Sequence, residues 1–563
     1  MLKTCSMVVK SVLRRFAKDT RGNFAMIFGL TIIPMFALAG SAIDFSNGVR
    51  MKAKLQASLD ATALATARYA SEAPRTTTEI ESYANSFFVA NYNATEFGNP
   101  PTITANADDS SVTLTASGTT PTAFIGLVGI HELNVGVDSK VDYANRTVDV
   151  ALVLDNSGSM GSESRLTNVK SAAKIFAQKL FGTKTTNHPN LQIGIVPFNH
   201  VVNVGSGYAN ASWMDKDAKS PIHGEIFQPT TANRFTLYGQ MTRNGNPLSW
   251  PGCVEVRPQP YDVYDYQLPA VLDPDESAAG LPTDTKYFVP WFQPDEPDSS
   301  DDGSTVHAKW QHSGGFNYRD DFNGASGTYV TSKDRLRSSD TTTQAHLDRW
   351  AERQGRVAKY TGSVPSDEGP DDGCYVQAIT DLTNDLAPIE TKIDAMSAAG
   401  NTNIFQGFMW GWRLVSAGEP FTKGRNPAVD HNNMKFVVLL TDGSHVSASD
   451  RNNPNDSYYN AFGFAASNRL KLTGTNSSFN RARAMDQRLA RGCAHAKADG
   501  ITVFTITYGS DMEATDATTL ATKAVMQGCA SDPNYYYHAP SSAEAEKVFG
   551  SIAATISQLY LSK

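Results

Sequence analysis

The 563-residue chain is poor in cysteine, with five in all, and no two of them form a C-x-x-C pair. That excludes a zinc ribbon and a dithiol redox motif, and at this length it also excludes a disulfide-built miniprotein. A basic surface is missing as well: 49 Lys and Arg against 57 Asp and Glu leave a formal charge of -8. No basic cluster with interleaved aromatics occurs outside the N-terminus, so the chain has no electrostatic footprint for nucleic acid. It shows no internal repeats, and it lacks a nucleophile elbow and a clear nucleophile–base pair, the usual signatures of hydrolases. Long uncharged apolar runs are missing too, with one exception near the start.

That exception is FAMIFGLTIIPMFALAGSAI, residues 24–43, preceded by Lys3, Lys10, Arg14, Arg15, Lys18 and Arg21. A run of this length crosses a bilayer core as one helix, and the basic flank marks the cytoplasmic side. A signal peptide cut after Ala37-Leu38-Ala39 and a buried helix are the alternatives. The anchor reading is preferred because the apolar run continues past that cleavage pattern. A helical pattern with Phe45, Val49, Leu55 and Leu59 then follows directly.

The chain divides into a basic segment 1–23, a transmembrane helix 24–43, a stalk helix with a small α+β unit over 44–145, and a domain over 146–563. In the last, the apolar runs VDVALVLD, LQIGIVPF, MKFVVLLTDG and ITVFTITYG alternate with helical patterns. Buried parallel strands alternating with helices predict an α/β fold with a doubly wound, mostly parallel sheet. Residues 206–376 interrupt the alternation and are read as an elaborated insertion or partly disordered surface. Their acidic run PDEPDSSDDG lacks the ligand spacing of a calcium loop and reads as a solvated face.

Ligands of open parallel sheets gather at the carboxyl ends of the strands. VALVLDNSGSM, residues 150–160, places Asp155, Ser157 and Ser159 there, VVLLTDG places Asp442, and GNTNIFQG offers Thr402 in a turn before a helical run. Two carboxylates and three hydroxyls make a hard-cation site, Mg²⁺ or Mn²⁺ ahead of Ca²⁺. The competing reading makes DNSGS a helix cap with no metal. The series D-x-S-x-S, G-x-T and T-D-G resembles the metal-ion-dependent adhesion site of von Willebrand factor type A domains. The resemblance implies coordination by Ser157, Ser159 and Thr402, with Asp155 and Asp442 direct or water-bridged. One position is left open for a carboxylate from a protein partner.

A longer resemblance rests on TRGNFAMIFGL, VRMKAKLQASLDATALATA, AFIGLVGI, WPGCVEVRP and MQGCASDPNYYYHAP. Together these resemble the TadG family of Tad (Flp) pilus assembly proteins, whose N-termini are similar to the TadE and TadF pseudopilins. Gly22 is followed at the fifth position by Ile27, where a prepilin cleavage site carries Glu, which argues against processing. The resemblance implies a single-pass bacterial inner-membrane protein with its bulk in the periplasm. It also implies a non-enzymatic binding role and a pilus component as partner. A metal-dependent hydrolase of the cell envelope and an adhesin independent of pili are the alternatives, though no motif supplies a general base.

On this topology Cys5 stays inside, and Cys253, Cys374, Cys493 and Cys529 enter a space that permits disulfides. Of three pairings, Cys253 with Cys374 and Cys493 with Cys529 are preferred, the first closing the insertion at its base. His200 and His445 are expected at the surface or hydrogen-bonded, Trp410 and Trp412 as packing residues, and PNYYYHAP as an edge strand.

Overall fold

The computed structural model describes residues 22–72, 76–92, 101–107, 111–142, 146–296, 351, 354–366, 368–449 and 455–561. The basic segment before Gly22, with Cys5, and residues 297–303 of the acidic run lie outside them. The chain divides into two compact units, one ending at Asn145 and the other beginning at Arg146.

The first unit is built on helix α1 (Gly22–Glu72), continuous through Pro34. Its early turns are apolar on every side and carry exposed Leu30, Met35, Phe36 and Leu38. Further on, Met51, Leu55, Leu59 and Ala63 fall four apart and are buried, so the helix becomes amphipathic. Helix α2 (Thr77–Asn91) starts from a Thr76–Glu79 capping box and buries Ile80, Ala84 and Phe88 on one face. Strands β1 (Thr102–Ala107), β2 (Ser111–Pro121) and β3 (Glu132–Asp142) form an antiparallel sheet in that order. Alternate residues Val112, Leu114 and Ala116 of β2 enter the same core, as a period of two requires. Among the described residues, α1 is the one helix long and apolar enough to cross a membrane.

The second unit is a doubly wound α/β fold. Strands β4 (Val148–Asp155), β5 (Leu191–Phe198), β9 (Met434–Thr441), β10 (Ile501–Tyr508) and β11 (Tyr536–Ala539) pair in parallel, in the order β5-β4-β9-β10-β11. Strand β8 (Thr380–Thr383) pairs antiparallel with β5, and the tyrosine-rich β11 forms the opposite edge. Val150, Leu152 and Leu154 of β4 face the core shared with α3 (Arg165–Phe181), α4 (Leu386–Ala395) and α8 (Ser542–Leu561). Ala151 and Val153 face α5 (Ile404–Val415), α6 (Ser478–Ala498) and α7 (Ala517–Cys529). All of α5 is buried, Trp410 and Trp412 included, as expected of a helix that is apolar all round.

The described part of the insertion is folded, so for those residues the first of the two readings, an elaborated insertion, holds rather than a partly disordered surface. Trp213, Phe227, Trp250, Trp291 and Tyr360 are buried in the core on the α5 side of the sheet. Strands β6 (Val202–Asn203) and β7 (Cys253–Val254) extend the sheet beyond β5. Periodicity is a poor guide here because aromatic packing and short turns, rather than long elements, fill the space. Cys253–Cys374 and Cys493–Cys529 are both disulfides, with Cα separations of 5.8 and 5.1 Å. Closing such loops stabilises by about 4 to 5 kcal/mol each at most.

Candidate metal centre at the strand ends

Asp155 ends β4, and its carboxylate folds over the following turn: Oδ1 accepts from Ser157 N at 2.8 Å, and Oδ2 from the Thr441 hydroxyl at 2.7 Å. The Ser157 and Ser159 hydroxyls lie 3.1 Å apart, and Ser159 Oγ donates to Asp442 Oδ1 at 2.7 Å. The ends of β4 and β9 are therefore joined through side-chain oxygens.

Main-chain bonds bring in the third loop. Ala399 N donates to Asn156 O and Gly158 N to Gly400 O, both at 2.8 Å, and Val446 N donates to Thr402 O at 2.9 Å. Gly400 has φ +77°, and a Cβ there would stand 2.6 Å from His200 Nδ1. Thr402 precedes Asn403, whose side chain caps α5. Thr402 is 4% exposed and its hydroxyl makes no hydrogen bond to a described residue. The structure thus links Asp155, Ser157, Ser159 and Asp442 by hydrogen bonds and laces the Thr402 loop to both strand ends without a side-chain bond from Thr402 itself.

The capping alternative meets a difficulty here. Ser157 stands at the start of the short turn Gly158–Ser164 and Ser164 at the start of α3, and neither side chain makes a cap hydrogen bond. Only Asp155 Oδ1 does a turn's work, and the two serine hydroxyls face each other and Asp442.

Electrostatics set the two acids apart. Burial, then the charge of Asp442, pushes the Asp155 carboxyl up to about 7, against the pull of its bonds from Ser157 and Thr441. Burial also raises Asp442, but bonds from Ser159 and Arg165 oppose it. Arg165, 4% exposed, donates to Asp442 Oδ2 at 3.1 Å, to Asp511 at 2.7 Å and to Glu163 at 3.1 Å. Burial would discharge its guanidinium, but these carboxylates more than offset that and hold it firmly charged.

Arg165 and Asp511 were not legible as site residues, and Thr441 was legible only as the Thr of the T-D-G series, with no role assigned to it. A cation in the first turn of a helix opposes the dipole and calls for acidic partners, and that was the available signal for Arg165. Glu163 and Ser164, with φ of 51° and 57°, carry the chain into the geometry that aims it.

His200 and His445 are both buried, contrary to expectation. His200 Nδ1 and both ring nitrogens of His445 lack hydrogen bonds, and burial lowers the two rings to about 4 and about 3. Each is therefore neutral near pH 7.

The donor set suits a hard divalent cation. It is all oxygen, with Ser159 exposed at its mouth and Asp155 fully buried at its floor. Among the described residues Asp155 has no cationic partner of its own. Among the described residues no group of three or more His, Cys, Asp or Glu is placed to hold a metal, so hydroxyls must complete any shell here.

Residues 22–68 match the family model described as putative Flp pilus-assembly TadE/G-like. No curated protein matches the chain. Solved structures similar to it include the vWF domain of the type V pili tip protein Mfa5 from Porphyromonas gingivalis, at 12% identity and a TM-score of 0.32, covering 75% of this chain and 98% of that one. The pilus adhesin SpaC from Lactobacillus rhamnosus GG is similar at 13% identity and a TM-score of 0.30, covering 82% of this chain and 36% of that one. The N-terminal helix is thus TadE/G-like, and it precedes a doubly wound α/β unit with an oxygen-lined centre at its strand ends.

Proposed function

We propose that the chain is a membrane-anchored, non-enzymatic binding protein of a Tad (Flp) pilus apparatus, which grips a partner protein through a divalent cation at the ends of β4 and β9. The observation that carries the reading is the convergence of Asp155, Ser157, Ser159 and Asp442 in one hydrogen-bonded group, with the Thr402 loop tied to both strand ends. The match at residues 22–68 and the exposed apolar turns of α1 support anchoring and the pilus setting.

Asp155, Ser157, Ser159, Thr402 and Asp442 would hold Mg²⁺ or Mn²⁺. A bound cation supplies an electrophilic centre with a position open to a partner's carboxylate, because two formal negative charges leave it short of one strong ligand. Asp155 anchors the floor, Ser157 and Ser159 contribute neutral oxygens, and the Thr441 hydroxyl holds the Asp155 carboxylate in place. Arg165 fixes Asp442 and keeps its charge from repelling an incoming acid. The N-terminus lies in the cytoplasm and the α/β unit in the periplasm, on the logic of the flanking charges.

Capture of pilus components from a detergent extract by the full chain, with and without chelator, tests the reading. A partner retained only with Mg²⁺ or Mn²⁺, and lost in Asp442→Ala, is expected. Full capture in excess chelator would contradict it.

A further inference from the structure

The face of α1 that packs on the first unit's sheet does not stop where the apolar run begins. Met51, Gly48, Asp44 and Gly40 are buried in turn at helical spacing, and Gly40 lies inside the run 24–43. The loop between β2 and β3, residues 122–131, covers the last two. A Cβ at Gly40 would stand 2.1 Å from the Phe124 ring, so the glycine is the notch that admits this side chain. Four residues on, Asp44 accepts from Ala123 N at 3.0 Å, Phe124 N at 2.8 Å and Ile125 N at 2.7 Å, which clamps the loop to the helix.

The loop has the chemistry of the helix segment it rests on. AFIGLVGI, residues 123–130, holds no charged or polar side chain, yet Ile130 is 51% exposed. Its main-chain donors are turned inward. Besides the three held by Asp44, Gly129 N donates to Gly126 O at 3.1 Å, Ile130 N to Ile125 O at 3.3 Å and Thr122 N to His131 O at 3.0 Å. Hydrocarbon demands this of any backbone that enters it, because no water is there to pair with it.

We propose that this loop dips into the outer leaflet of the membrane alongside α1, so that two segments rather than one seat the first unit on lipid. The inference rests on the reading of α1 as the anchor. At 1.5 Å per residue the run 24–43 is about 30 Å long, matching the hydrocarbon core, and Gly40 then sits about 5 Å inside its outer end. Phe124 packs on Gly40 and shares that depth. Ile130 belongs to the same closed turn, and the exposed His131 and Glu132 at the loop's foot meet the headgroups. The occupant is lipid because the part of α1 under the loop is itself the outer end of the apolar run, with Leu38 and Ile43 exposed.

Spin-label depth measurements on the full chain in nanodiscs of phosphatidylcholine and phosphatidylglycerol test this. Cys5→Ser is the background, and single labels are placed at Leu38→Cys, Ile130→Cys and Leu64→Cys, all exposed positions where a label carries little risk to folding. Leu38 reports the anchor and Ile130 the loop, while Leu64, on α1 about 30 Å beyond the run, reports the water phase. The label at Ile130 should be at least about fivefold less accessible to a water-soluble nickel chelate than the label at Leu64, yet open to oxygen, the pattern of a group among acyl chains. Nickel accessibility at Ile130 equal to that at Leu64, with Leu38 protected, would overturn the proposal and leave the anchor standing. Nickel reaching Leu38 as freely as Leu64 would overturn both. Protection of Ile130 from nickel and oxygen alike, with dipolar broadening between labels, would mean that a second copy covers the loop, which also overturns the proposal.

Discussion

Glu255 in the insertion and Asp155 at the end of β4 are both almost completely buried, yet they are treated in opposite ways. Glu255 is held by Arg234, by Arg469 at 2.7 Å and by the Tyr459 hydroxyl. Burial would raise its carboxyl, but the two arginines outweigh that and keep it low. Asp155 receives one main-chain N–H and one hydroxyl, has another acid for a neighbour, and rises to about 7. One acid is neutralised by the fold that surrounds it. The other is left short of a counter-charge at a strand end, which is the condition of a ligand rather than of a strut.

The largest effect should come from breaking the satisfied pair. Glu255→Gln strands the buried Arg234 and leaves Arg469 with Glu225 alone, and is expected to cost about 3–5 kcal/mol in denaturant unfolding. Where the variant folds, cation affinity should be unchanged, because the network does not touch the strand-end loops.

The reverse is expected at the unsatisfied acid, by roughly 2–4 kcal/mol. The folded Asp155 carboxyl takes up its proton at a higher pH than it does in the unfolded chain, so the wild type loses stability as pH rises from about 4 to about 7. In chelator at pH 7.5, Asp155→Asn should therefore be more stable than wild type, with the advantage shrinking towards pH 4. Unfolding curves across that range would decide it, and a loss of stability at pH 7.5 would return Asp155 to a structural role.

A smaller effect, about 1–2 kcal/mol, is expected for Gly400→Ala, since a side chain at φ +77° is strained and meets His200. Displacing this loop moves Thr402, so cation affinity should fall by more than stability does. Ser159→Ala, at an exposed position, should change stability by less than about 1 kcal/mol while weakening the cation clearly.

The contrast between the two acids also marks what the sequence could tell. Continuous apolar runs made the parallel strands readable, and their ends pointed to Asp155 and Asp442 because chain order alone puts such ends on one edge. The disulfides followed from few cysteines in telling positions. Glu255 was not readable, because its partners Arg234 and Arg469 come from distant, aperiodic segments that only the aromatic core brings together. Arg165 was missed for a related reason: its partner Asp511 follows β10, hundreds of residues later. The histidines misled because proximity in sequence to a strand end says nothing about which way a ring turns.

Titration calorimetry of Mg²⁺ and Mn²⁺ into wild type, Asp155→Ala and Asp442→Ala tests the central claim most directly, with near-UV circular dichroism confirming that each variant is folded. One saturable site in wild type, absent from both single variants and no worse in the double one, is the expected result, since the two strand ends would act through one shared cation. Wild-type affinity in Asp155→Ala, or no binding by the wild type, would contradict the account and leave Asp155 as the acceptor of a turn.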